Sequence, residues 1–128
     1  MLLFGHRYFK REPFYHIFDI DDIAKTPSNA TIFVEFDEKS IDIIDHLRLN
    51  DISFALSVET ITEAIYAENF RARYIVCAKE VAKDIQYIAQ EYLFDAKILA
   101  RVEHENQIEA LAKEGVDGVI FSEAIIRV

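Results

Sequence analysis

The chain has 128 residues, of which 52% are hydrophobic and 29% charged, and a formal net charge of -9. That length supports one domain around a single buried core, and the acidic balance excludes a nucleic-acid partner, whose backbone calls for clustered Lys and Arg. No apolar run reaches the roughly 20 residues of a membrane span, and the single cysteine, Cys77, excludes an internal disulfide.

Residues 1–29 form the first distinct stretch. MLLF is followed at once by His6, Arg7, Lys10 and Arg11, the reverse of the order in a secretory leader, so a cytoplasmic location is expected. The basic group itself reads as a solvated segment. Pro13 and Pro27, the crowded Phe9, Phe14, Tyr15 and Phe18, and the short IDDIAK predict an irregular aromatic arm that packs across the domain edge or onto a second subunit, covering a sheet edge.

Residues 30–128 then alternate two textures. TIFVEF (31–36), ISFALSV (52–58), RYIVCA (73–78), AKILARV (96–102) and DGVIF (117–121) are short runs rich in Val, Ile and Phe. Several are apolar at consecutive positions, as strands buried on both faces of a parallel sheet require. Thr60 with Glu63 and Asn106 with Glu109 are spaced as capping boxes, and Gly115 stands where a left-handed helix end is wanted. Val81, Ile85, Ile88, Ala89 and Tyr92 fall on one face of the longest predicted helix.

Repeated strand-helix units predict a single α/β domain, a three-layer Rossmann-like sandwich with about five parallel strands and the irregular arm. A piece of a β/α barrel has the same local pattern, but five units cannot close eight strands alone, so copies would have to share it.

The chain's only glycines are Gly5, Gly115 and Gly118. Neither GxGxxG nor a P-loop can be written with them, so a nucleotide held in the standard way is excluded. His6, His16, His46 and His104 are scattered, with no CxxC, HExxH or HxH to gather a metal. No GxSxG elbow occurs, and Cys77 inside an apolar strand reads as packing. No cofactor is expected.

In parallel α/β folds ligands collect at the carboxyl ends of the strands. Those ends carry Glu35 and Asp37, then Ser57, Glu59 and Thr60, then Lys79 and Glu80, then Arg101, Glu103 and His104, and last Ser122. Arg101 reads either as a planar donor for a carboxylate or phosphate, or as the partner of Glu103 or Glu35 in an ion pair. His104 reads as a general base or as the lead-in to the helix at Asn106, and Lys79 as a Schiff-base lysine or an exposed helix start. The candidate ligand-binding set is Glu35, Asp37, Lys79, Arg101 and His104.

ILARVEHENQIEALAKEGVDGVIF resembles the end of the TrkA-N or RCK domain, the Rossmann-like regulator of potassium transport. The resemblance extends loosely over residues 31–122, and it implies that Glu35 stands at the position of a ribose-binding acid and Arg101 at that of a strand-end arginine. The glycine-rich first turn has no counterpart, and SVET (57–60) replaces a GDAT-like segment. ISFALSVETITEAIYAENFRARYIVCA is similar in rhythm to β/α-barrel aldolases, although Lys79 lies beyond the strand that would carry a reactive lysine.

These readings imply a non-catalytic module with a regulatory or protein-interaction role, working as a homo-oligomer or with a protein partner. The alternative is a binding protein or enzyme for a small anionic metabolite, phosphorylated or carboxylated, which requires Arg101, His104 and Lys79 to share one pocket. A third reading, an assembly partner without a small ligand, requires a contiguous apolar patch from Phe9 to Phe18.

Overall fold

The computed structural model describes residues 1–128. All five expected strands form: β3 (Thr31–Glu35), β4 (Phe54–Ser57), β5 (Tyr74–Ala78), β6 (Lys97–Val102) and β7 (Gly118–Phe121), every pairing between them parallel. Four helices follow the first four of these strands in turn: α1 (Ile41–Leu49), α2 (Ile61–Asn69), α3 (Lys79–Glu91) and α4 (Ile108–Lys113). The parallel α/β character is therefore as expected. No helix is long and apolar enough to cross a membrane.

The strand number is eight rather than five. The arm expected to be irregular contributes β1 (Leu2–Phe4) and β2 (Phe14–His16), and EAIIRV contributes β8 (Ile125–Arg127). Each has only three residues, too few to display a period. The order across the sheet is β1-β7-β6-β5-β4-β3-β2-β8, so the arm lies within its own chain's sheet and flanks both sides of the five-strand block.

The layering also differs from a three-layer sandwich, and the strand order gives the reason. From β3 to β7 each strand is added on the same side of its predecessor. Right-handed crossovers then place every helix on the same face, whereas helices on both faces require the order to reverse. Alternate side chains confirm this one-sided arrangement. Ile32, Val34, Leu56, Ile75, Cys77, Ile98 and Ala100 pack with Ile44, Leu47, Ala64, Ala67, Ala82, Ile85, Ala89 and Leu111 of the four helices. Phe33, Ala55, Tyr74, Val76, Leu99 and Ile120 face the other way, joined by Phe4, Phe14 and Ala124 in a core containing no residue of α1 to α4.

That second core exists because the sheet rolls up. On a flat sheet the six strand spacings from β1 to β2 would separate them by roughly 29 Å. Instead the Phe4 and Phe14 rings lie 5.1 Å apart, and each lies within 5.3 Å of Tyr74 from the middle of the sheet. The two edges approach where Gly5, at φ +82, follows β1. A Cβ on Gly5 would stand 3.0 Å from the Ala124 backbone nitrogen, just before β8. One chain thus makes the rolled layout that was expected to need several copies.

The helix ends follow the sequence with two corrections. Thr60 accepts from the Glu63 amide, and Gly115 turns at φ +78. Before α4, however, it is Gln107 that accepts from the Glu103 and His104 amides, in place of the Asn106–Glu109 box. On α3 the buried face is Ala82, Ile85, Gln86 and Ala89, while Tyr92 is exposed.

Candidate functional site at the carboxyl ends of the strands

The inward positions just above the apolar core carry the polar residues. Two residues on from Phe14, Phe33, Ala55, Leu99 and Ile125 come His16, Glu35, Ser57, Arg101 and Arg127, and the strand period of two keeps each on the inner face. The sequence therefore builds an apolar plug and sets a polar rim directly on it.

Phe33 is fully buried and forms the floor. The His16 ring stands edge-on to it at 4.9 Å, and the Arg101 guanidinium carbon lies 5.5 Å from its centroid. On its other side His16 stacks on Phe18 at 4.4 Å, and the Arg127 guanidinium lies 4.8 Å over that ring. A continuous ladder of rings thus runs between two cations, each held by its attraction to an aromatic face.

The side chains of Arg101, Arg127 and Glu35 enter none of the chain's ion pairs. The expected pair between Arg101 and Glu35 or Glu103 does not form, because the Arg101 side chain turns over Phe33. Burial pushes the His16 pKa below its ordinary value of 6.5. The negative charge of Glu35 opposes that shift, while Arg101 and Arg127 reinforce it.

Glu35, Asp37, Ser57, Glu59 and Arg101 line one cleft of about 440 Å³. His16, Phe18, Glu35, Asp37 and Lys39 line an adjoining one of about 210 Å³. Of the residues named from the sequence, Glu35, Asp37 and Arg101 are therefore brought together. The Asp37 carboxylate is partly committed, since its Oδ1 accepts from the Lys39 amide at 2.9 Å.

Lys79 and His104 do not join them. Lys79 opens α3, is exposed, and pairs with Glu80 at 3.3 Å. His104 leads into the turn before α4 and lines a separate cavity with His6, Arg7, Glu103, Glu105 and Glu123. There His6 Nε2 lies 2.6 Å from Glu105 Oε1, Arg7 bonds the same oxygen, and the Tyr8 amide donates to His6 Nδ1. Desolvation pushes the Glu105 pKa up, but the His6 hydrogen bond and the Arg7 charge together outweigh it and hold the carboxyl below its usual value. Both His6 nitrogens are engaged, so this cluster fastens the β1–β2 loop to the loop after β6.

Arg101, His104 and Lys79 therefore do not share one of these clefts. His16 and Arg127 were missed because FYH and IIR are too short to read as strands. The usable signal was alternation, Phe14–His16–Phe18 on one side and Tyr15–Ile17 on the other. The expected apolar patch is also broken. Phe9 and Phe18 are each 51% exposed, but Phe14 at 1% and Ile17 at 2% are core.

Cys77 faces the helices, and burial pushes its thiol up to about 12, which leaves it protonated and inert. No group of three or more His, Cys, Asp or Glu is arranged to hold a metal ion. Among known proteins, no family model and no curated sequence matches this chain.

Proposed function

We propose that the chain is a binding module for a small anionic ligand, phosphorylated or carboxylated, taken at the carboxyl ends of its strands. The observation that carries this reading, in place of the pocket with Lys79 and His104, is that the Arg101 guanidinium over Phe33 and the Arg127 guanidinium over Phe18 are both left without carboxylate partners. An arginine held over a ring keeps its N–H edge free for bidentate bonds to an anion.

The rolled sheet supports the location, since β/α barrels place their ligands at this end. In that layout the similarity to β/α-barrel aldolases fits better than a dinucleotide-binding arrangement, which uses a reversal of strand order. Lys79 does not serve as a reactive lysine in this reading, because its side chain is exposed and outside the cleft. In this reading the chain is a cytoplasmic, ligand-responsive regulator that works as a homo-oligomer or with a protein partner. Fold alone does not assign chemistry.

The test is a thermal-unfolding screen against sugar phosphates, small carboxylates and nucleotides, with Arg101→Ala as control. A ligand at 100 times its Kd stabilises the native state by about 2.7 kcal/mol. A shift that Arg101→Ala abolishes supports the reading. A flat screen, or a shift that survives the substitution, removes it.

A further inference from the structure

We propose that the cleft beside Arg101 takes an amino carboxylate, a small zwitterion whose two charges are several bonds apart, with the carboxylate on Arg101 and the ammonium group on Glu35 and Glu59. This rests on the reading above, in which Arg101 is an anion-binding group, and narrows the anion to a carboxylate that carries its own cation.

The charges lining this cleft of about 440 Å³ are unequal. Three carboxylates, Glu35, Asp37 and Glu59, accompany one guanidinium, Arg101. Lys39 of the adjoining cleft reduces the acidic excess without reversing it, and Arg127 lines neither cleft. A phosphate or a simple carboxylate adds negative charge where there is already too much. An amino carboxylate adds none, and it meets a partner of opposite sign at both ends.

Strand order also sorts the signs across the cleft. Arg101 comes from β6, whereas Glu35 ends β3 and Ser57 ends β4, with Asp37 and Glu59 in the turns that follow them. Between β6 and β4 lies β5, which together with the start of α3 gives the lining only Ala78 and Val81. Lys79 and Glu80, from the same stretch, pair with each other outside the cleft. A basic wall thus faces an acidic wall across an apolar gap, and two strand spacings put roughly 10 Å between their backbones. A ligand with separated charges bridges walls that the chain's own ion pairs do not join.

The lining groups have the capacity for this. The Glu35, Glu59 and Arg101 side chains are exposed and enter no ion pair. Glu59 is engaged through its amide, which donates to Glu63, and Asp37 through Oδ1, which accepts from the Lys39 amide and leaves Oδ2 over. A guanidinium offers paired N–H groups to one carboxylate, and an ammonium group has three N–H donors to share among several.

The probes are 6-aminohexanoate, hexanoate and hexylamine, which share a six-carbon chain and differ in their charged ends. Calorimetry at pH 7.5 keeps the carboxyl ionised and the amine, with a pKa of about 10.4, protonated. The expected result is that 6-aminohexanoate binds about tenfold tighter than hexanoate or hexylamine, the scale of one hydrogen bond to a charged group. It should also bind more tightly than glycine, whose charges are too close to reach both walls. Arg101→Ala is expected to abolish 6-aminohexanoate binding. The double variant Glu35→Gln with Glu59→Gln is expected to weaken 6-aminohexanoate about tenfold and to strengthen hexanoate. A loss of structure would not move the two ligands in opposite directions.

Hexanoate or glycerol phosphate binding as tightly as 6-aminohexanoate, or an amino carboxylate affinity untouched by the double variant, would overturn the inference while leaving the anion site standing. Glycine binding as tightly as 6-aminohexanoate would overturn the separation of charges. Hexylamine binding as tightly as 6-aminohexanoate and unaffected by Arg101→Ala would mark a cation site and overturn both readings. No binding of any of these probes, glycerol phosphate included, would remove both.

Discussion

At the amino ends of the strands, Glu68 accepts from the Asp95 and Ala96 amides, Asp117 from the Ile98 amide, and Gln86 from the Asp117 amide. At the carboxyl ends, Glu35, Arg101 and Arg127 surround His16 and enter no ion pair. The first set joins segments 19 to 31 residues apart and keeps the turns in place. The second leaves its hydrogen-bonding capacity for something outside the chain. One amino-end cleft of about 580 Å³ has Asp51 as its only charged lining residue, whereas another of about 520 Å³ is lined by Glu68, Arg71, Arg73 and Asp95. The acids and the glutamine named at the amino ends are spent on architecture, whereas Glu35, Arg101 and Arg127 are not.

The most severe way to break this comparison is to delete residues 1–27. Both arm strands and the buried Phe4, Phe14 and Ile17 would go, so the rim would lose its wall and the core its plug. A circular-dichroism melt is expected to show no cooperative transition, and a sharp one would mean that the five-strand block stands alone. Asp117→Ala comes next, because it strands a buried-end amide. Denaturant unfolding should show a loss of about 1–3 kcal/mol with anion binding unchanged.

Arg101→Ala reverses that pattern. Its stability should stay within about 1 kcal/mol of the parent, the scale of an exposed cation–π contact, while the anion-induced thermal shift disappears. His16→Gln removes the ring contacts with Phe18 and Phe33, a loss of about 1 kcal/mol at any pH, and beyond that changes how stability depends on pH. Because the folded pKa is lowered, the unfolded chain binds the proton more tightly. The parent is then fully stable above about pH 6.5 and loses stability as pH falls toward the folded value. The variant's pH–stability curve should be flatter in that window. The smallest effect is at Cys77, whose thiol should resist a disulfide reagent in the native state and react only after unfolding.

The contrast also explains what could be read from the residues alone. β3 to β7 were legible because buried parallel strands are continuous apolar runs, and TIFVE or YIVCA can be little else. The roll of the sheet was not legible, because it depends on the order in which strands are laid side by side, and no local pattern records that. Glu35 and Arg101 were legible because they stand at and next to the ends of strands of five and six residues. Arg127 and His16 sit on strands of three residues, where Phe14 and Ile125 beneath them are the only clue to the face they occupy. His104 and Lys79 looked equivalent to Arg101 in sequence, yet Lys79, one residue past β5, and His104, two past β6, lie outside the cleft that holds Arg101.

The meeting of the two sheet edges near Gly5 bears on how the molecule acquires its shape. Leu2 pairs with Gly118 and Phe14 with Ile125, so the ring is joined by contacts between the two extremes of the chain. The block from β3 to β6, whose neighbours are close in sequence, can organise first, and closure of such long loops is the entropically slow step. Until it is complete, Arg127 has no place beside His16. Ligand competence should therefore report on the final stage of folding.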